Sequence, residues 1–143
     1  MRRICYLSER ATTVSDTEVV EDIVLPAMAK NRRLDVTGCL WFDETRFLQV
    51  IEGPDGAISD IYAAIAVDRR HADVELLVDE PIASRLFERF NMRTLSGPLP
   101  DSVTELLATN RPRPKPVQDH TPDFAALVAS VIAELARWPV EPA

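Results

Sequence analysis

Residues 2–8 (RRICYLS) read as a short β-type run, whose successive side chains fall on opposite faces. Ile4, Tyr6 and Ser8 fall on one face, Arg3, Cys5 and Leu7 on the other. Ser15-Asp-Thr-Glu18 has the form of a capping box, and Val19, Val20, Ile23, Val24, Ala27 and Met28 then recur at helical spacing. This predicts a helix over about 16–30. Pro26 lies inside it, where it removes a backbone donor and crowds the carbonyl of Asp22, so a kink or a distorted last turn is expected. Residues 36–42 (VTGCLWF) read as a strand with Gly38 inside it, the mark of a bulge or a close backbone approach. A turn over 43–45 leads into a strand over 46–52 that ends at Gly53-Pro54. Ile58, Ile61, Tyr62 and Ile65 give a second amphipathic helix to about Val67. A charged connector, Asp68-Arg-Arg-His71, precedes strands over 72–78 and 85–95, the last with Leu86, Phe90 and Met92 on one face.

The order β-α-β-β-α-β-β predicts an α+β, ferredoxin-like sandwich with two helices on one sheet face. The other face also carries apolar residues and needs a cover. Residues 101–109 and 123–137 read as two further helices, the second with Phe124, Leu127, Val128, Val131, Ile132 and Leu135 on its apolar side. They either pack on the bare face or bind a partner helix. A proline-rich, extended connector over 111–116 separates them. The expected division is a domain over 1–96 and a helical extension over 97–143.

A net charge of −7 argues against nonspecific nucleic-acid binding, which needs a basic surface. No apolar run approaches the roughly 20 residues of a membrane span, and no signal peptide follows Met1-Arg-Arg, so a cytoplasmic location is expected. Cys5 and Cys39 lie in strand patterns without a CxxC or a His/Cys cluster, so neither a disulfide nor a metal site is expected.

Candidate chemistry centres on Gln49. It shares a strand face with Phe47 and Ile51, and a buried primary amide without partners costs about 1–3 kcal/mol. Taken singly, Tyr6 reads as a core aromatic, Asn31 as a helix C-cap, Met92 as core filling, and His71 with Arg69 and Arg70 as a solvated loop. Gly53-Pro54 is not a phosphate loop, since neither a glycine-rich run nor GK[ST] accompanies it.

Taken together, Tyr6-x-Ser8, Asn31, Thr37-Gly-x-Leu40, Phe47-x-Gln49-x-x-Glu-Gly53, Asp68-Arg-Arg-His71 and Arg85-x-Phe87 through Met92 resemble the BLUF domain, a blue-light sensor that uses FAD. The resemblance covers residues 2 to about 95 in order and approximate spacing. It implies a flavin between the first two helices, its ring edge-on to the sheet. Tyr6 and Gln49 match the family's photoactive pair, and Met92 the methionine that responds to light. Asn31 matches the residue bonded to the ring, and Ile23, Leu40, Phe47 and Ile65 match its apolar walls. Asp68, Arg70 and His71 match the polar end near the ribityl chain and phosphates. Phe90 stands where the family often has Trp, and Pro26 falls in the helix that walls the flavin.

The resemblance implies a photoreceptor without an enzymatic output domain. It would signal to a separate effector protein and form a homodimer or higher oligomer. Two other readings stand beside it. A small hydrolase of acyl phosphates would need a phosphate cradle that Glu9-Arg-Ala-Thr12 lacks, and a flavin-poor interaction module would keep the fold alone.

Overall fold

The computed structural model describes residues 1–88, 91–95, 101–108 and 122–137. Five strands form one sheet: β1 (Arg2–Arg10), β2 (Thr37–Phe42), β3 (Arg46–Gly53), β4 (His71–Pro81) and β5 (Arg93–Leu95). Their spatial order is β4-β1-β3-β2-β5. All neighbours are antiparallel except β2 and β5, which run parallel. The register sets Tyr6 opposite Gln49 and Gln49 opposite Leu40, so these three side chains form a row across the middle of the sheet. Gly38 is the close approach its position suggests. A Cβ there would lie 2.0 Å from the Val50 carbonyl oxygen, so no larger residue fits without moving β3.

The first helix is three pieces rather than one. α1 (Asp16–Glu18) starts at Ser15, whose side chain accepts from the Glu18 N–H. A π-helical turn, Val19–Val24, follows and passes into α2 (Leu25–Arg33). Pro26 sits in the first turn of α2, so the irregularity lies N-terminal to the proline, and the helical stretch ends later than expected. α3 (Asp55–Ala66) is the second helix. Both pack on one sheet face, where Ile4, Leu40, Phe47 and Ile51 meet Val19, Val24, Ile58 and Ile61.

The opposite face is covered by α4 (Asp101–Ala108) and α5 (Pro122–Ala136). Val103, Leu106, Val128, Val131, Ile132 and Leu135 share a core with Cys5, Leu7, Trp41, Leu48 and Val50. Of the two roles open to these helices, packing on the bare face is the one seen. Val131 and Leu135 are fully buried, and each such side chain contributes about 1.5–3 kcal/mol. The connector over 111–116, Phe90, Trp138 and the Phe124 side chain lie outside the described residues.

The expected fifth strand is corrected most. Only Arg93–Leu95 pairs, and residues 82–88 form no strand. Leu86 is 48% exposed and Met92 4%, so they do not share a face. The cause is Glu52, fully buried at the end of β3. Its carboxylate accepts the Leu86 N–H at 3.0 Å and the Phe87 N–H at 2.8 Å, amides that a strand would have given to a neighbour. Arg85 adds bonds to Thr37 Oγ1 at 2.9 Å and the Asp35 carbonyl at 2.8 Å. The fourth strand is longer than its apolar core suggests, reaching from His71 to Pro81.

Cys5 and Cys39 are free and fully buried. Burial pushes the Cys5 thiol up to about 12 and raises that of Cys39 as well. Because the thiolate is the reactive form, neither reacts with a thiol reagent at pH 8 in the folded protein; both react in denaturant, as a colorimetric thiol titration reads.

Candidate functional site

A cavity of about 240 Å³ opens between the π turn, α2, α3 and the sheet. Tyr6, Leu40, Phe47 and Gln49 form its floor on β1, β2 and β3. Ile23 and Asn31 wall one side and Ile65 the other. Asp68, Arg70 and His71 line it where α3 passes into β4, and Met92 where the chain enters β5. Every residue that the resemblance matched to a role around the flavin thus borders one cavity. Asp22, Ala27, Lys30, Ile61 and Ala64 border it too and were missed; Pro26, suspected of reshaping it, is a lining residue. Helical spacing pointed to two of them, since Ala27 lies four residues from both Ile23 and Asn31, and Ile61 four from Ile65.

Three polar side chains run in series along the floor. Tyr6 Oη donates to Gln49 Oε1, and Gln49 Nε2 donates to Met92 Sδ at 3.5 Å. A thioether has no proton, which orients the amide nitrogen toward Met92 and its oxygen toward Tyr6. Burial, helped by the charge of Asp68, raises the Tyr6 phenol well above its ordinary range, so its proton stays in place. The second N–H of Gln49 has no partner among the described residues. Asn31, 2% exposed, donates from Nδ2 to the Asn91 carbonyl at 2.8 Å; no bond among those residues uses its Oδ1. Asn91 in turn donates to the Val36 carbonyl at 3.1 Å, which ties the approach to β5 to the end of α2.

His71 is held at both ring nitrogens. Nε2 lies 2.6 Å from the Ile65 carbonyl, which can only accept, so Nε2 carries a proton. Nδ1 lies 2.7 Å from Ser8 Oγ. The ring meets Tyr6 and Phe47 edge-on, with centroids 5.8 and 6.1 Å away. Arg70 chelates Asp68, and the hydrogen bond from this guanidinium holds the Asp68 carboxyl below its usual range.

The donor set suits a flat heteroaromatic ring with a polar edge. The walls are apolar, and Gln49 offers an unused donor and Asn31 an unused acceptor. Among the described residues no three His, Cys, Asp or Glu side chains gather as a metal site, and no helix is long and apolar enough to cross a membrane.

The family described as sensors of blue-light using FAD, BLUF, matches residues 1–93. The chain belongs to this family. The cofactor of a BLUF domain is a flavin, which agrees with the cavity. Among its relatives is the blue light- and temperature-regulated antirepressor BluF of Escherichia coli K12, 40% identical over 79 residues. That match covers 52% of this chain and 20% of the antirepressor. The photoactivated adenylate cyclase subunit alpha of Euglena gracilis is 28% identical over 137 residues, 94% of this chain and 13% of the subunit. The chain therefore spans a fifth or less of these two relatives. The dark-state structure of the BLUF protein BlrB superposes with a TM-score of 0.67 at 27% identity, covering 95% of this BLUF chain and 92% of the other.

Proposed function

We propose that this BLUF chain is a blue-light photoreceptor that binds FAD noncovalently, has no turnover of its own, and signals through the Tyr6–Gln49–Met92 series to a separate effector protein or a second copy of itself. The observation that carries this is the ordered chain of hydrogen bonds from Tyr6 Oη through the Gln49 amide to Met92 Sδ on the cavity floor. When bound, the flavin supplies blue-light absorption and, once excited, an acceptor for an electron and a proton. Tyr6 holds a proton at Oη for that purpose. Gln49 is the element with two states, because rotation exchanges its two ends and tautomerisation turns its oxygen from an acceptor into a donor. Once the amide has rotated, an oxygen faces the Met92 sulfur, and the bond to Met92 is gone. Met92 directly precedes β5, the edge strand beside β2, so its release is felt where the sheet meets α4 and α5. Asn31 and Gln49 orient the ring; Lys30 and Arg70 supply cations on the cavity lining for the phosphates.

The test is the visible absorption spectrum of the purified protein before and after blue light. A flavin spectrum that shifts slightly to the red and recovers in the dark is expected. Chromatography of the released cofactor identifies FAD against FMN or riboflavin. A protein that stays colourless after incubation with FAD defeats the proposal. Met92→Leu is expected to keep the colour and the shift but to slow dark recovery. Losing one weak bond of the dark arrangement, about 0.5–1 kcal/mol, corresponds to roughly two- to fivefold in rate. Flash-induced absorbance decay reads it.

A further inference from the structure

In an α-helix the carbonyl of residue 22 would be met by the N–H of residue 26. Residue 26 is proline and has none. The helix widens just before it, with the Leu25 N–H reaching the Val20 carbonyl five residues back. The Asp22 carbonyl is met from the other side of the cavity instead. Arg70 Nη1 donates to it at 2.8 Å. The rest of the same guanidinium holds the Asp68 carboxylate, Nε at 2.9 Å from Oδ1 and Nη2 on Oδ2. The Arg70 backbone N–H also reaches Asp68 Oδ1 at 2.9 Å, which fixes the carboxylate in a turn. Asp22, Pro26, Asp68 and Arg70 all border the cavity, and Asp22 and Pro26 are exposed, which puts the bridge at the rim. A guanidinium can do this because its donors lie in one plane on diverging edges; an ammonium has no such fork. An ion pair this exposed adds a small but measurable amount to stability, so its larger effect falls on access to the cavity.

We propose that Pro26 is a positioning residue for cofactor retention. By withholding an amide from position 26 it leaves the Asp22 carbonyl to Arg70, and the Asp68–Arg70–Asp22 strap slows release of the bound flavin. The proposal rests on the flavin reading of the cavity. Pro26→Ala supplies a competing N–H, lets the turn rewind toward an α-helix and costs Arg70 one of its two anchors.

The experiment uses the full chain in four forms: wild type, Pro26→Ala, Arg70→Ala and the double variant. Each is loaded with FAD, and release is followed by the rise in flavin fluorescence after dilution. Pro26→Ala is expected to speed release about fivefold, the scale of one exposed charge-assisted hydrogen bond. Arg70→Ala speeds it at least as much, and the double variant releases no faster than Arg70→Ala alone. Arg70→Lys keeps the charge without the fork and is expected to leave Pro26→Ala without effect. If Pro26→Ala leaves release unchanged, or accelerates it equally with and without Arg70, the strap is overturned and Pro26 acts on helix shape alone. A wild type that takes up no FAD overturns the flavin assignment instead. The strap is then judged by urea unfolding of the same four apo-proteins, where zero coupling between positions 26 and 70 overturns it.

Discussion

Gln49→Leu is expected to keep the flavin and lose the light-induced red shift entirely. Leucine is close to glutamine in size and suits a face already shared with Phe47 and Ile51, so the cavity keeps its floor. What disappears is the group that, among the described residues, both accepts from Tyr6 Oη and donates to Met92 Sδ. The Tyr6 hydroxyl, inside a side chain 4% exposed, is left without its acceptor at a cost of about 1–3 kcal/mol. That lowers stability but leaves the fold intact. With no amide there are no two ends to exchange, and illumination has nothing to rearrange. The spectrum is recorded before and after blue light at matched flavin content. A surviving shift would remove Gln49 from the switch and leave Tyr6 or Asn31 as its seat.

Glu52→Ala is expected to lower stability by about 3–5 kcal/mol, the range for breaking a buried ion pair from one side. The Glu52 side chain is fully buried, pairs with Arg3 at 2.7 Å, and accepts two backbone amides of the segment that leads to β5. Removing it strands the Leu86 and Phe87 N–H groups and leaves Arg3, 11% exposed, with Glu80 as its remaining carboxylate at 2.8 Å. For a domain of this size the fall in Tm is on the order of 10 °C. Thermal unfolding monitored by circular dichroism reads it. A change within a degree or two would mean that the segment holds its course without Glu52. Glu52→Gln separates charge from shape, since its amide oxygen in the place of Oε1 can still accept from both the Leu86 and Phe87 N–H groups while the pair with Arg3 is lost.

The two effects meet at one stretch of chain. Glu52 holds residues 86 and 87, Asn31 holds the Asn91 carbonyl, and Met92 follows directly. The chain leading to Met92 is thus tied at two points by side chains on other elements, one on β3 and one on α2. Met92, the residue that meets the Gln49 amide, comes directly after the second tie.

The period of apolar residues by itself determined the number and order of the strands and the helical stretches, because alternation and helical recurrence are local properties of the chain. It also placed Phe47, Gln49 and Ile51 on one face, and so made Gln49 a buried amide in need of partners. The motif residues carried the family and the cavity's main lining, since each occupies a fixed place on a strand or helix face.

Tertiary structure decided what depends on partners distant in the chain. Residues 85–92 have the composition of a strand, yet the buried Glu52 carboxylate takes the Leu86 and Phe87 amides, and a local pattern does not reveal an acceptor 34 residues away. Pro26 announced an irregularity, expected as a kink or a distorted last turn; the fold shows a π-helical turn before the proline instead, with the Asp22 carbonyl met by a guanidinium 48 residues on. The row Tyr6–Gln49–Leu40 is a consequence of strand register, which pairs positions rather than types. The cover on the second face followed from area: a sheet apolar on both faces hides the second one only when a further layer is laid on it, and α4 and α5 are that layer.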